Sequence, residues 1–522
     1  MVGGDGEVRL AELIAAFSLA TDLGLGQPME HLLRSWFIAA RLGEHIGIDA
    51  RDRQSLYYVV MLGWVGCVAD TPEVSRWFGD DIAFRRDSYE VDRAGLPMLG
   101  FALSHVGRGG PAIQRIRLGA ALALTRCAAI ERGLINHCLS TAQMARRLGL
   151  SDDVCDSLQQ VFARWDGKGV PSGVAGDAIA PTVRLFHLAE NVEVFHRADG
   201  VDAAVELARN RRGTQFDPVL VDVFCRTATE VLEGLEDVDD WNALIEREPG
   251  LQAPLASDEL DAALEAVADF TDLRSPSRAG HSRAVANLSV GAAKLFGLPD
   301  EEVTRLRHAA LVHDVGFHGV PGTIIDKPGA LTPRESERMR MHAYLTERML
   351  AQPAALARIG AVAALTHERL DGSGYHRGLS GTAIPVSGRI LAAADAYQAM
   401  IEPRPYRLPL STAEATKALR ADVRAGRLAP DAVDAVLAAS GVRVGKRRTG
   451  PAGLTEREIE VLVLIARGAS NKHVARALGI TTKTAGSHVE RIYTKTGAST
   501  RSTATLFAMQ HGLLDSFEPV DS

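Results

Sequence analysis

The sequence has little cysteine, few aromatic residues and no long apolar run. Its five cysteines are scattered through the first half without a C-x-x-C pair, which argues against a zinc knuckle or a disulfide framework. The longest apolar run, Tyr57 to Ala69, is shorter than the roughly 20 residues that a membrane span needs. No basic segment precedes the first apolar stretch, so no secretory signal is predicted. We therefore expect a cytoplasmic protein with reduced thiols.

The chain is long enough for several domains. Its 522 residues exceed what one hydrophobic core normally serves, and 46% apolar and 24% charged residues are typical of globular proteins. The net charge of −7 is uneven. Residues 441 to 515 contain 12 Lys or Arg against 5 Asp or Glu, whereas the remainder contains 46 against 60. A basic tail on an acidic body indicates that the tail meets a polyanion.

Apolar residues recur mostly at i, i+3, i+4 and i+7, which predicts a mainly helical protein. A Pro- and Gly-rich interruption near residue 250 and a basic, glycine-rich stretch after residue 440 mark the boundaries. We predict an all-α chain of two helical bundles and a four-helix module. The predicted segments are a first domain over 1–250, a second over 251–440, a linker over 441–453 and a C-terminal domain over 454–515.

The two predicted bundles carry an internal repeat. "ARWDGKGVPSGVAGDAI" from Ala163 and "ERLDGSGYHRGLSGTAI" from Glu368 match at eight of seventeen positions. Ungapped alignment also sets His31 on His281 and His137 on His342. A duplication with one insertion in the first copy accounts for these matches.

The second copy gathers His and Asp residues within or at the ends of otherwise apolar helices. Buried imidazoles and carboxylates are costly unless they share a partner, and a metal ion is such a partner. Within a helix His313 and Asp314 would point about 100° apart, so that Asp314 could bridge two ions while His313 binds one.

The order H…HD…H…HE-x-x-DGSGY…D, with "GTIIDKPGALTPRE" after the HD pair and "RPYR" after the last Asp, resembles the HD-GYP branch of the HD phosphohydrolases. That resemblance implies an all-helical fold with iron or manganese ions and hydrolysis of a phosphodiester, usually in cyclic di-GMP. His313 and Asp314 would be catalytic, and Tyr375 and Arg404 would contact substrate. The implied metal ligands are His281, His313, Asp314, His342, His367 and Asp395.

The second copy departs from the family pattern at four places. Phe317 replaces the lysine of HD-x-G-K, which offers a cation to the substrate phosphate, and Thr366 replaces the first of two paired histidines. His376 replaces the proline of GYP. Ser277 stands where three-metal members have a carboxylate ligand. These changes remove a transition-state contact and weaken metal binding, so the residues favour a ligand sensor over an enzyme.

The first copy is predicted to be degenerate. Gly63 and Trp64 occupy the positions of the HD pair, and Phe162 and Glu190 occupy those of His367 and Asp395 in the ungapped alignment. We expect Trp64 and Phe162 to fill the metal's place as core. This half is interpreted as a ligand-sensing or dimerisation domain.

The tail from Leu454 has the pattern of a helix-turn-helix module. Thr455 and Glu458 form a predicted capping box, Gly468 ends the first helix, and Ser470 caps the second. A third helix is predicted to begin after Thr482 and to run through Thr496 to Gly497, and a fourth is predicted from Ser499. The blocks "LTEREIEVL", "SNKHVA" and "KTAGSHVERIYTKTG" resemble the LuxR-type DNA-binding domain.

By that resemblance the third helix enters the major groove of double-stranded DNA, and its basic residues mainly contact phosphates. Gly486 inside this helix costs about 1 kcal/mol of helix stability. The candidate DNA contacts are Lys472, Lys483, Thr484, Ser487, His488, Arg491, Lys495 and Arg501.

Together these features predict a cytoplasmic, homodimeric transcriptional regulator. Its HD-GYP-like domains would sense a nucleotide or other phosphorylated ligand and control the DNA-binding module. The alternative is an active metal-dependent phosphodiesterase of the cyclic dinucleotide class that carries a DNA-binding tail. Neither hypothesis requires a membrane.

Overall fold

The computed structural model describes residues 8–92, 94–108, 112–124, 128–235, 245, 248–442, 451–498, 500–511, 513 and 514. It is 71% helical, and the described ranges contain no β-strand. The predicted all-α class is therefore confirmed. The chain divides into two compact units, one ending at Val442 and one starting at Arg443. Cys127, Ser499 and most of the predicted linker lie outside the described residues.

The first half of unit 1 is built from eleven described helices. These helices form where the sequence has apolar residues at helical spacing. Helices α2, α3 and α10 pack together around a core of Leu, Ile, Val and Tyr side chains. The helices are α1 (Leu10–Gly24), α2 (His31–Ile46), α3 (Ala50–Leu62), α4 (Cys67–Phe78), α5 (Asp81–Asp87), α6 (Gly95–His105), α7 (Ala112–Leu124), α8 (Ala128–Arg147), α9 (Asp152–Leu158), α10 (Pro181–Asn210) and α11 (Pro218–Leu232).

The second half continues with nine helices among the described residues. The helix that begins at His281 packs on the helix that precedes the HD pair and on the helix that carries Asp395. The helices are α12 (Ser257–Asp272), α13 (His281–Phe296), α14 (Asp300–Val312), α15 (Gly322–Ile325), α16 (Pro333–Met349), α17 (Ala354–Ala363), α18 (Val386–Ile401), α19 (Thr412–Arg424) and α20 (Pro430–Ala439).

Equivalent helix starts in the two halves are fixed by the same contact. The carboxylate of Asp22 accepts a hydrogen bond from Leu32 N at 3.1 Å, near the start of α2. Asp272 accepts one from Ser282 N at 2.9 Å, near the start of α13. A buried carboxylate that caps backbone N–H groups stabilises a helix N-terminus. The matching pair of caps supports the predicted internal repeat.

A second shared contact holds the helix that carries the middle histidine. Gly66 N donates to Thr141 Oγ1 at 3.0 Å, and Gly316 N donates to Thr346 Oγ1 at 3.0 Å. A Cβ at either glycine would collide with the backbone oxygen of the nearby histidine, His137 or His342. Both halves therefore need glycine at this position for close packing.

Buried charges join the two halves of unit 1. Asp81, fully buried in α5, accepts hydrogen bonds from Arg85 at 2.7 Å, Arg274 at 3.2 Å and Gly322 N at 2.8 Å. Arg274 is 1% exposed and also donates to Val320 O at 2.6 Å. The halves thus share a polar interface within one compact unit, and the predicted boundary near residue 250 stays a prediction.

Unit 2 contains four helices in its described residues: α21 (Glu456–Ala466), α22 (Asn471–Ala477), α23 (Thr482–Thr496) and α24 (Arg501–Gln510). The capping box of Thr455 and Glu458 is formed, since Glu458 Oε2 accepts from Thr455 N at 2.8 Å. The Ser470 cap is also present. Thr481 caps α23, so this helix begins one residue earlier than predicted. The predicted four-helix module is confirmed.

Candidate functional site

Six side chains from five segments of the second half converge at one place. His281 is the first residue of α13, His342 lies within α16, His367 follows α17 and Asp395 lies within α18. The HD pair lies just past the end of α14, because that helix ends at Val312 and His313 is its C-cap. The sequence interpretation of both residues as helical was wrong for this reason.

Each of the two carboxylates lies between two sets of imidazoles. Asp314 Oδ2 lies 3.0 Å from His313 Nε2 and 3.6 Å from His281 Nε2, whereas Asp314 Oδ1 lies 3.9 Å from His342 Nε2. Asp395 Oδ1 lies 3.2 Å from His281 Nε2. The two oxygens of Asp314 thus face different imidazoles, and its role as a bridging ligand stays a prediction.

Asp395 also lies between two sets of imidazoles. Its Oδ1 lies 3.8 Å from His313 Nε2, and its Oδ2 lies 3.9 Å from His367 Nδ1. The ligating atoms of His281, His313 and Asp314 lie within 4.8 Å of one another, and so do those of Asp314, His342 and His367. These two groups share Asp314, which is the arrangement a pair of metal ions requires.

Backbone and carboxylate acceptors set the tautomer of three of the imidazoles. His313 Nδ1 donates to Ala310 O at 2.7 Å, and His342 Nδ1 donates to Met339 O at 2.5 Å. Their Nε2 atoms are buried and make no hydrogen bond. Glu402 Oε2 accepts from His281 Nδ1 at 2.7 Å. The Nε2 atoms of His313 and His342 therefore present lone pairs to the cluster, which is how metal-binding histidines are held.

Burial keeps two of the imidazoles neutral. It lowers the pKa of His342 to about 4. Burial, followed by repulsion from His342, holds the pKa of His367 well below its usual range. Asp395 behaves in the opposite way: burial opposes its ionisation, but its contacts with His281 and His313 bring its pKa well below the usual range. Neutral imidazole and ionised carboxylate are the forms that bind a metal.

The predicted substrate residues line a cavity of about 620 Å³ beside this cluster. The Tyr375 ring stacks on the His367 ring at 4.8 Å between centroids. Arg404 donates to Ser277 O at 2.8 Å and lies 3.1 Å from Glu402. Both side chains are thus fixed at the wall of a cavity that Asp314 and Asp395 also line.

The sequence prediction missed three residues of this site. The guanidinium of Arg278 pairs with Asp314 Oδ2 and lies over the Phe317 ring, 4.5 Å from its centroid. Glu402 orients His281. Glu368 accepts from the backbone N–H groups of residues 377 and 379, both at 2.8 Å, and so holds the glycine-rich loop. A glutamate after a histidine was visible in the motif, but nothing in sequence spacing marked Arg278 or Glu402.

The departures from the family pattern have structural explanations. The Phe317 ring stacks on His342 with centroids 4.1 Å apart, where the family lysine would lie. Thr366 donates to Ala363 O at 2.7 Å and is buried, so its hydroxyl caps a helix. His376 pairs with Glu347 at 2.8 Å. The Arg278 guanidinium lies over the ring of Phe317, which stands at the lost lysine position.

The corresponding place in the first half is filled by side chains, as expected. The Trp64 and Phe162 rings meet with centroids 5.3 Å apart, and Phe162 lies 4.9 Å from His137. Glu190 accepts from Trp64 Nε1 at 2.9 Å and from Tyr89 Oη at 2.9 Å. Hydrogen-bond donors thus satisfy this carboxylate.

Residues 265–431 match the family described as "HD domain". A 3'3'-cGAMP-specific phosphodiesterase from Vibrio cholerae is 30% identical over 410 residues, which cover 76% of this chain and 87% of that protein. The chain belongs to the HD-domain phosphodiesterase family. A crystal structure of a cyclic GMP-AMP specific phosphodiesterase from V. cholerae superimposes on the present chain with a TM-score of 0.59 and 25% identity. The match covers 84% of the present chain and 99% of the V. cholerae chain.

A further relative matches a shorter part of the chain. A cyclic di-GMP phosphodiesterase from Thermotoga maritima is 39% identical over 177 residues, 33% of this chain and 48% of that protein. The match to the V. cholerae protein covers more residues than either helical half contains. The family assignment thus rests on most of unit 1, whereas the matched HD domain lies in its second half.

Residues 452–508 match the family described as "Bacterial regulatory proteins, luxR family", so unit 2 is a LuxR-type helix-turn-helix domain. Of the candidate DNA contacts, Lys472, Lys483, Thr484 and Arg491 are exposed, and Ser487 and His488 are half-buried. Thr484 also bonds to the Thr481 hydroxyl at 2.8 Å, within the cap of α23.

Two of the candidate cations are engaged inside unit 2. Lys495 Nζ lies 2.6 Å from Glu458 Oε2 and donates to Gly453 O at 3.0 Å. Arg501 donates to Ala469 O at 2.7 Å and to Asn471 Oδ1 at 2.9 Å. These contacts position helices within the domain. Arg491 is exposed on α23 and remains the strongest candidate for a phosphate contact.

None of the described helices is both long and apolar enough to cross a bilayer.

Proposed function

We propose that this protein is a LuxR-type transcriptional regulator whose second HD half binds a divalent metal pair and hydrolyses a cyclic dinucleotide. The observation that carries the proposal is the convergence of four imidazoles on Asp314 and Asp395. Two of the imidazole nitrogens are buried without a hydrogen bond, and a metal would satisfy them. The V. cholerae relative, named as specific for 3'3'-cGAMP, supports the substrate class.

Iron or manganese ions would supply a nucleophile and neutralise phosphate charge when bound. The chain's own groups would do the rest. Asp314 and Asp395 would hold the ions together, and Glu402 would orient His281 for binding. Tyr375 would stack against a base, while Arg404 would contact a phosphate. The cavity of about 620 Å³ is within the range that small ligands occupy.

A sensor without turnover is the second candidate. It is favoured by Phe317, which replaces the expected lysine, and by Arg278, which already pairs with Asp314. A cation bound to the bridging carboxylate competes with metal. In this case the pocket binds its nucleotide and alters DNA binding without cleaving the ligand.

One experiment separates the two candidates. The full chain, loaded with Mn²⁺ or Fe²⁺, is incubated with 3'3'-cGAMP and with cyclic di-GMP, and the linear product is quantified by chromatography. Asp314→Ala tests the site, and His308→Gln, on the helix that precedes Asp314 but paired with Asp261 at 2.5 Å, is the matched control. Turnover lost only in Asp314→Ala supports the enzyme. Nucleotide binding without turnover supports the sensor, and absence of both metal and nucleotide binding contradicts both.

We further propose that unit 2 binds double-stranded DNA as a homodimer, in the cytoplasm. Its exposed cations on α22 and α23 support the DNA contact, and Met509, 62% exposed on α24, supports pairing through the fourth helix. Arg491→Ala should lose DNA retention in a gel shift, while Arg424→Ala, an exposed arginine of unit 1, should not. Equal retention by both variants would contradict the groove assignment. Light scattering with Met509→Glu tests the dimer.

A further inference from the structure

The first half contains a second cluster of metal-ligating side chains, formed by Cys67, Asp70 and His137. One atom from each residue lies within 4.8 Å of the others, and all three residues are buried. Cys67 and Asp70 stand three residues apart at the start of α4 and so share one face of that helix. His137 reaches them from α8.

The tautomer of His137 leaves a lone pair in this cluster. Its Nε2 donates to Gly63 O at 2.9 Å, because a carbonyl oxygen can only accept. The Nδ1 atom is therefore the unprotonated nitrogen of the neutral ring. It is buried, makes no hydrogen bond, and lies 3.8 Å from Asp70 Oδ2. A backbone carbonyl that orients the imidazole from behind is usual at metal sites.

Arg85 fixes the carboxylate of the cluster. It lies 2.5 Å from Asp70 Oδ1, so that Oδ2 is directed toward His137. The same guanidinium pairs with Asp81 at 2.7 Å, and its charge is therefore shared between two carboxylates. Arg274 also pairs with Asp81, at 3.2 Å, so the two guanidiniums balance Asp70 and Asp81. An ionised Cys67 would add a further buried negative charge, which a metal cation would offset.

We propose that Cys67, Asp70 and His137 bind one zinc ion whose fourth position faces the adjoining cavity. Sulfur, nitrogen and oxygen donors together suit zinc, whereas a thiolate disfavours magnesium or calcium. Zinc bond lengths place neighbouring ligand atoms roughly 3.4 Å apart, so the imidazole and carboxylate need to approach by only about 0.4 Å. Both Cys67 and Asp70 line a cavity of about 490 Å³, and Trp64 and Trp77 also form part of its wall.

This cluster is distinct from the site of the second half. Under the ungapped alignment Cys67 corresponds to Phe317 and Asp70 to Val320, neither of which is a metal ligand. Only His137 has a histidine counterpart, His342. The three residues therefore form a site of the first half alone.

Cobalt provides a sulfur-specific test in the full chain. Co²⁺ bound to a thiolate gives a near-ultraviolet charge-transfer band, and the second-half cluster contains no sulfur. We expect one such band per chain, lost in Cys67→Ser and in His137→Ala. It should persist in the matched control Cys225→Ser and in Asp314→Ala. Absence of the band in the wild-type chain, or its persistence in Cys67→Ser, overturns the proposal.

A second measurement uses the wild-type chain and does not depend on a variant's folding. Without bound zinc the Cys67 side chain borders the adjoining cavity, from which an alkylating reagent can reach it. Zinc should slow alkylation of Cys67 at least tenfold, as read by peptide mass spectrometry, and leave Cys225 unchanged. An alkylation rate of Cys67 that is independent of zinc overturns the proposal.

Discussion

Replacing Asp81 by Asn should destabilise unit 1 more than any surface change of the same chemistry. Asp81 is fully buried and accepts from two guanidinium groups and one backbone N–H. The Asn side chain keeps the shape but removes the charge. Arg274, 1% exposed, would then have only uncharged acceptors, Val320 O and the Thr71 hydroxyl.

The size of the effect follows from the burial of these groups. Removing one partner of a buried ion pair costs about 3–5 kcal/mol, because the remaining charge is uncompensated. Arg85 still has Asp70 at 2.5 Å, so the penalty falls mainly on Arg274. The double variant Asp81→Asn/Arg274→Met should recover part of the loss, since it also removes the stranded cation.

Urea unfolding followed by tryptophan fluorescence measures this change. All five tryptophans precede residue 250, so the signal reports unit 1 and not the DNA-binding unit. Asp222→Asn is the matched control, because Asp222 pairs with Arg212 in solvent and should leave the midpoint unchanged. A midpoint for Asp81→Asn equal to that of the control would refute the reasoning, as would a double variant less stable than the single one.

Three further predictions concern the metal site and the tail. Glu402→Gln should lower metal affinity about 10–100-fold in a chelator competition, because the carboxylate no longer holds His281; unchanged affinity would contradict this role. The lowered pKa of His342, about 4 against an ordinary 6.5, means that the unfolded state binds more protons between these values. The metal-free protein should therefore lose up to about 3 kcal/mol of stability as pH falls from 6.5 to 4, and His342→Phe should show a smaller loss in urea titrations. Lys495→Met should lower the unfolding temperature of unit 2 in calorimetry, because buried Glu458 loses its cation. If the transition is unchanged and DNA retention is lost, Lys495 contacts DNA instead.

The sequence by itself determined the helical class, the internal repeat, the six residues that converge in the second half and the presence of the helix-turn-helix. These features depend on local signals: apolar periodicity, capping residues and the spacing of a motif whose members all contact one point. The same signals identified Trp64 and Phe162 as a filled counterpart of the second site.

Only the tertiary structure decided which polar groups stand beside those residues. Arg278 and Glu402 reach Asp314 and His281 across turns and helix packing, and no spacing in the chain encodes such contacts. The Cys67 cluster likewise depends on how α4 meets α8 at a close glycine contact. The ion pair of Lys495 with Glu458 is also a tertiary contact, since a basic helix face does not reveal which cations are already bound within the domain. Long-range contacts form where helices cross, and a helix's own sequence specifies its apolar face but not its neighbours.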